Sequence, residues 1–174
     1  LPLLATYPNL TPYKFVTTDP VSSNKELIGS ALVFEIELAN NEKAYVIRAF
    51  DVRDEATMDI GAFFDKFADH LMEVGKVNGV SKVLVAGTGG TISNYPIITQ
   101  YVLSKYVSDK PNTPIKESFY FNGEKGDSYD ITNNMYEARD INHLSSPFLL
   151  PLPFLTSLGA TTGQSLLSAI STSP

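Results

Sequence analysis

The chain has 174 residues, 43% of them apolar, and a formal net charge of −6. That apolar content can fill a core, which excludes disorder throughout. The acidic balance, with no Lys/Arg-rich cluster, argues against a nucleic-acid or anionic-membrane partner, and the absence of Cys excludes disulfides, thiolate metal sites and a Cys nucleophile.

Residues 1–28 read as an extended arm, because Pro2, Pro8, Pro12 and Pro20 forbid a long helix. From Ser30 to Leu38, Leu32, Phe34, Ile36 and Leu38 alternate with Val33, Glu35 and Glu37, the period of a half-buried strand. A turn at Asn40-Asn41 and a return strand over Lys43–Val52 complete a hairpin. Its register is expected to bring Arg48 within reach of Glu35 and Glu37. Asp59–Val74 is predicted as a helix with Ile60, Phe63, Phe64, Phe67, Leu71 and Val74 on one stripe. Thr57 or Asp59 is expected to cap it and Gly75 to end it. A short central strand follows at Lys82–Ala86. A second helix, from Ser93 or Asn94 to about Val107, takes Pro96 in its first turn. Ile115–Phe121 and Ser128–Thr132 are predicted to pair around the Asn122-Gly123 turn.

The reading is therefore an α+β fold: a mixed sheet in the order β-β-α-β-α-β-β, with extended Pro-rich arms at both ends. The divisions are an arm over 1–28, a domain over 29–140 and an uncharged Pro/Ser/Thr-rich arm over 141–174. Prolines 147, 151 and 153 interrupt the last of these, so no transmembrane helix is predicted.

The segment Gly87-Thr88-Gly89-Gly90-Thr91 lies between a buried strand and a helix, where backbone N–H groups can hold an anion. It is the candidate ligand-binding loop, although it has neither the Lys of a P-loop nor the dinucleotide spacing. A tight strand-to-helix turn that needs Gly for positive φ is the simpler explanation. Thr88-Gly89-Gly90-Thr91-Ile92 is similar to the nucleophile motif of bacterial-type asparaginases, whose Gly-Thr-Asp-Thr partner is absent here. The order of elements resembles the CheD-like deamidase fold. On that resemblance Gly29-Ser30-Ala31 opens the first strand where that family has Gly-Ser-Cys, Arg48 falls near its His, and Gly89-Gly90 follows the strand ending at Ala86. It implies an inactive relative, or a Cys-to-Ala variant of an amidohydrolase.

The acidic clusters Asp51, Asp54, Glu55, Asp59 and Glu124, Asp127, Asp130 lack EF-hand spacing. His70 and Glu73 share a helix face but would need two more metal ligands. Asp65, Asp69 and Glu73 read as a solvated face. No catalytic residue, metal or cofactor is assigned. Asn9-Leu10-Thr11 is a glycosylation sequon, which with a start at Leu1 rather than Met leads to the expectation of a secreted, extracellular protein.

All 32 charged side chains lie between Lys14 and Asp140. The charge-free ends carry Leu3, Leu4, Tyr7, Phe148, Leu149, Leu150 and Phe154, whose apolar surface is costly to leave in water. The sequence thus predicts a non-enzymatic interaction or structural protein, partnered by copies of itself or by another protein through its arms.

Overall fold

The computed structural model describes residues 9–53, 59–87, 92–122, 128–130, 132 and 134–143. In chain order these form β1 (Leu10–Thr18), β2 (Lys25–Glu37), β3 (Lys43–Val52), α1 (Ile60–Asn78), β4 (Val80–Ala86) and α2 (Pro96–Val102). A π turn (Leu103–Val107), β5 (Tyr120–Asn122), β6 (Ser128–Asp130) and β7 (Met135–Asp140) follow. One mixed sheet has the order β1-β2-β3-β4-β7, and β5 and β6 form a small separate ladder. Only β3 and β4, joined through α1, run parallel. The class is α+β, as the periodicities predict. No described helix is long and apolar enough to cross a membrane.

The expected hairpin forms, with Asn41 in the left-handed region at φ 69° and the Leu38 N–H donating to the Glu42 carbonyl at 2.8 Å. Its register corrects the Arg48 expectation. Arg48 lies opposite Leu32, Glu35 opposite Tyr45 and Glu37 opposite Lys43, and Glu37 pairs with Lys116 at 3.1 Å. Asp59 caps α1 by accepting from Ala62 N–H at 2.9 Å, whereas Thr57 lies outside the described residues. The helix runs past Gly75 to Asn78 and stops at Gly79, whose φ of 73° suits a residue without Cβ. Gly75 instead lets the helix press on β4, since a Cβ there would lie 3.0 Å from the Val80 carbonyl.

Two strands are additions to the sequence reading. Residues 10–18, expected as part of an arm, are extended but belong to the sheet as edge strand β1. Asn9 and Glu35 form a hydrogen-bonded pair, with Glu35 N–H donating to the Asn9 carbonyl at 3.0 Å. Alternation then turns the backbone groups of Leu10, Pro12 and Lys14 outward. The N–H that Pro12 lacks would have faced the free edge, where no internal ladder uses it. The other edge strand is β7, whose half-exposed Tyr136, Glu137, Ala138 and Arg139 show no apolar alternation.

The core lies between the sheet and α1. Phe15 and Phe50 from the sheet meet Phe63, Phe64 and Phe67 of the helix, with ring centroids 4.9–5.9 Å apart. On the opposite face Phe119 packs against Phe34 at 5.6 Å. The predicted strand over Ile115–Phe121 is mostly a crossing segment. Thr113 N–H bonds the Met135 carbonyl at 2.7 Å, while Ala39 N–H bonds Pro114 and Lys116 N–H bonds Glu37. These bonds make the segment a strap that ties the start of β7 to the end of β2.

Candidate functional site

The Gly-rich loop leaves β4 at the carboxyl ends of the parallel pair, the usual place for ligands in open parallel sheets. Gly87 is the one member of the loop within the described residues; Thr88, Gly89, Gly90 and Thr91 lie outside them. A Cβ on Gly87 would run into the Tyr136 ring, so close packing accounts for glycine there. Its N–H is spent on the Asn134 carbonyl at 2.7 Å.

Beyond the loop, Asp51 gathers the chain. Its carboxylate accepts from Ser93 Oγ at 2.9 Å, from Asn94 N–H at 2.7 Å and from Asn94 Nδ2 at 2.9 Å. A bulge aims it there. Ala49 and Phe50 together face Ala31, with Ala49 at φ 51°, a conformation rare for residues with a Cβ. Phe50 N–H then reaches the Ile92 carbonyl at 2.8 Å. An internal carboxylate thus already holds the donors that follow the loop.

The densest polar cluster among the described residues centres on Asp65, read from sequence with Asp69 and Glu73 as a solvated helix face; the structure corrects that for Asp65, 21% exposed, while Asp69 and Glu73 stay about half exposed. Asp65 Oδ2 accepts from Tyr101 Oη at 2.5 Å and from Lys105 Nζ at 2.7 Å, and Oδ1 accepts a short bond from Tyr106 Oη. Arg139 donates to Asp69 at 2.6 Å, to Tyr106 Oη at 2.9 Å and to the Asp65 carbonyl at 3.2 Å. The flank of α1 at Asp65 thus faces α2, the π turn and β7. Burial, and then its bond to Asp65, push the Tyr106 phenol up to about 12. Burial opposes the charges of Lys105 and Arg139, but their acidic partners and tyrosine hydroxyls outweigh it and raise both. These groups therefore keep fixed charge at neutral pH, far from the matched pKa that proton transfer requires. Chemically the cluster is a clamp.

No family model, curated protein or solved structure matches the chain.

The remaining candidates are dispersed. Ala31 is buried beside Tyr13, on the α1 side, whereas Arg48 pairs with Leu32, whose side chain takes the opposite face. Burial lowers Arg48 to about 10, against the attraction of Asp130. Glu73 Oε1 pairs with Lys76 at 2.9 Å; burial lowers the His70 pKa, against the attraction of Glu73. Asp130 receives Thr132 N–H at 2.9 Å; Asp54, Glu55, Glu124 and Asp127 lie outside the described residues. Asn9 Nδ2, the atom a glycan would use, donates to the Glu35 carbonyl at 3.1 Å. Glu137, Asp140 and His143 bring ligand atoms within 4.8 Å of one another. However, Lys82 Nζ already sits 2.7 Å from Glu137 and 3.1 Å from Asp140, and a cation would have to displace it.

Residues 1–8 and 144–174, which make up most of the charge-free ends, lie outside the described residues. Their attachment points are defined. β1 begins at Leu10, level with Phe34, and β7 ends at Asp140, level through Lys82 and Ala44 with Ile36. Both ends therefore join the sheet at the end opposite the Gly-rich loop. They do so on its two edge strands, four spacings or about 19 Å apart along the sheet.

Proposed function

We propose that the protein acts through protein contact, as an α+β body that associates through its charge-free segments 1–13 and 141–174 with further copies of itself or with another protein. The supporting observation is the attachment of both segments at one end of the sheet, on opposite edge strands. An arm on each edge suits head-to-tail contact, in which one copy's arm meets the next copy's body. The apolar content of the arms supplies the drive, since each buried Leu or Phe is worth about 1.5–3 kcal/mol.

Light scattering on the full chain, on a chain ending at His143, and on a full-length variant carrying Leu149→Glu, Leu150→Glu and Phe154→Glu tests the reading. Association in the first and monomers in the other two, with unchanged circular dichroism, is the expected result. An identical mass for all three would sink it.

A further inference from the structure

The π turn is the irregular piece of the second helix, and it coincides with the Asp65 clamp. Ser108 N–H reaches back five residues to the Leu103 carbonyl at 2.9 Å. In an α-helix of 3.6 residues per turn, positions five apart point about 140° away from one another. Tyr101 and Tyr106 are five apart, yet both hydroxyls bond the one Asp65 carboxylate. Closure from i to i+5 brings such positions to one side, which regular α geometry does not. Lys105, four residues after Tyr101, reaches Asp65 as well.

We infer that Asp65 sets the register of this helix: the Tyr101 and Tyr106 hydroxyls it gathers hold residues 103–107 in the π turn, and without them the segment winds as α-helix. One residue of register rotates the chain after it by about 100°. The clamp is therefore a conformational device connecting the flank of α1 to the strap, which Thr113 ties to β7 only six residues beyond Val107.

Two variants test this, Asp65→Ala and the pair Tyr101→Phe with Tyr106→Phe. The double variant keeps the Tyr101 ring against Gly61 and the Tyr106 ring against Phe64. Through-hydrogen-bond couplings measured by NMR in the full chain identify the acceptor of Ser108 N–H. The parent should couple Ser108 to Leu103, and both variants should shift the coupling to Ser104. Retention of the Leu103 coupling in the double variant would overturn the inference, and that variant decides alone should Asp65→Ala fail to fold.

Discussion

Tyr106→Phe isolates the clamp from the core that surrounds it. The ring is 3% exposed and packs on Phe64 with centroids 6.0 Å apart, so phenylalanine fills the same space. What disappears is one hydroxyl, which donates to Asp65 and accepts from Arg139 at 2.9 Å. Hydrogen bonds to charged groups contribute about 1.5–3 kcal/mol each. Asp65 Oδ2 keeps Tyr101 and Lys105, and Arg139 keeps Asp69 and two carbonyls, whereas Asp65 Oδ1 loses its Tyr106 donor. The loss should therefore be at least that of one such bond, about 2–3 kcal/mol. With a urea slope of about 1–3 kcal/mol/M, the midpoint falls by about 1 M. Alkaline titration adds a signed check. The folded phenol, near 12, lies above the unfolded value of about 10. Its contribution is complete below pH 10 and fades as pH rises through 12. Parent and variant should thus differ at pH 7 and converge at high pH. A change below about 0.5 kcal/mol at pH 7, the size of an ordinary surface substitution, would refute the clamp as a source of stability.

Gly87→Ala forces a Cβ into the Tyr136 ring, and overpacking of that kind costs about 1–3 kcal/mol. A melting point lower by about 2–12 °C should follow, with partial recovery on adding Tyr136→Ala; no recovery would mean the strain lies elsewhere. Pro12→Val restores an outward N–H on β1 and should make sedimentation more concentration-dependent than the parent's, with the fold unchanged. Lys82→Met leaves Asp140, whose side chain is 5% exposed, without its ammonium. Burial opposes the Asp140 charge, but Asn142 N–H and Lys82 outweigh it and hold its pKa below the usual carboxylate value. That stabilisation is present above about pH 4 and is lost as pH falls through the folded value. The Lys82→Met penalty in urea melts should therefore shrink from pH 7 to pH 3.

Much of the frame was legible because apolar periodicity carried it. The stripe Phe63, Phe64, Phe67, Leu71 reports one-sided burial and Asn40-Asn41 a tight turn, both of which local sequence records, whereas β2, read as half-buried, is covered on both faces, with Val33 and Phe34 each 1% exposed. The edges were not legible. β1 holds Pro12, which reads as a strand breaker until its N–H is known to face outward. β7 puts Glu137 and Arg139 into ion pairs across the sheet and to α1, so its pattern mimics a loop. The clamp was hidden for a related reason. Asp65 and Asp69 occupy the polar side of α1, and nothing local says that Tyr106 and Arg139 arrive from 41 and 70 residues away. One signal was available: the aromatic-basic spacing Tyr101, Lys105, Tyr106 is unusual for a solvated helix.

The edges also bear on how association would proceed. An open five-stranded sheet invites pairing along its outer strands, and a protein that joined by that route would keep them free of obstruction. Here β1 carries Pro12 and the exposed Lys14 outward, and the strap already uses the Met135 carbonyl at the start of β7. Both edges are blunted. The charge-free segments, by contrast, enter and leave beside those edges with no charged residue to oppose burial. Contact through the arms is thus compatible with a sheet that resists joining strand to strand, and the two routes are separable. Pro12→Val should open the edge route without the arms, and a chain ending at His143 should lose the arm route while its edges stay closed.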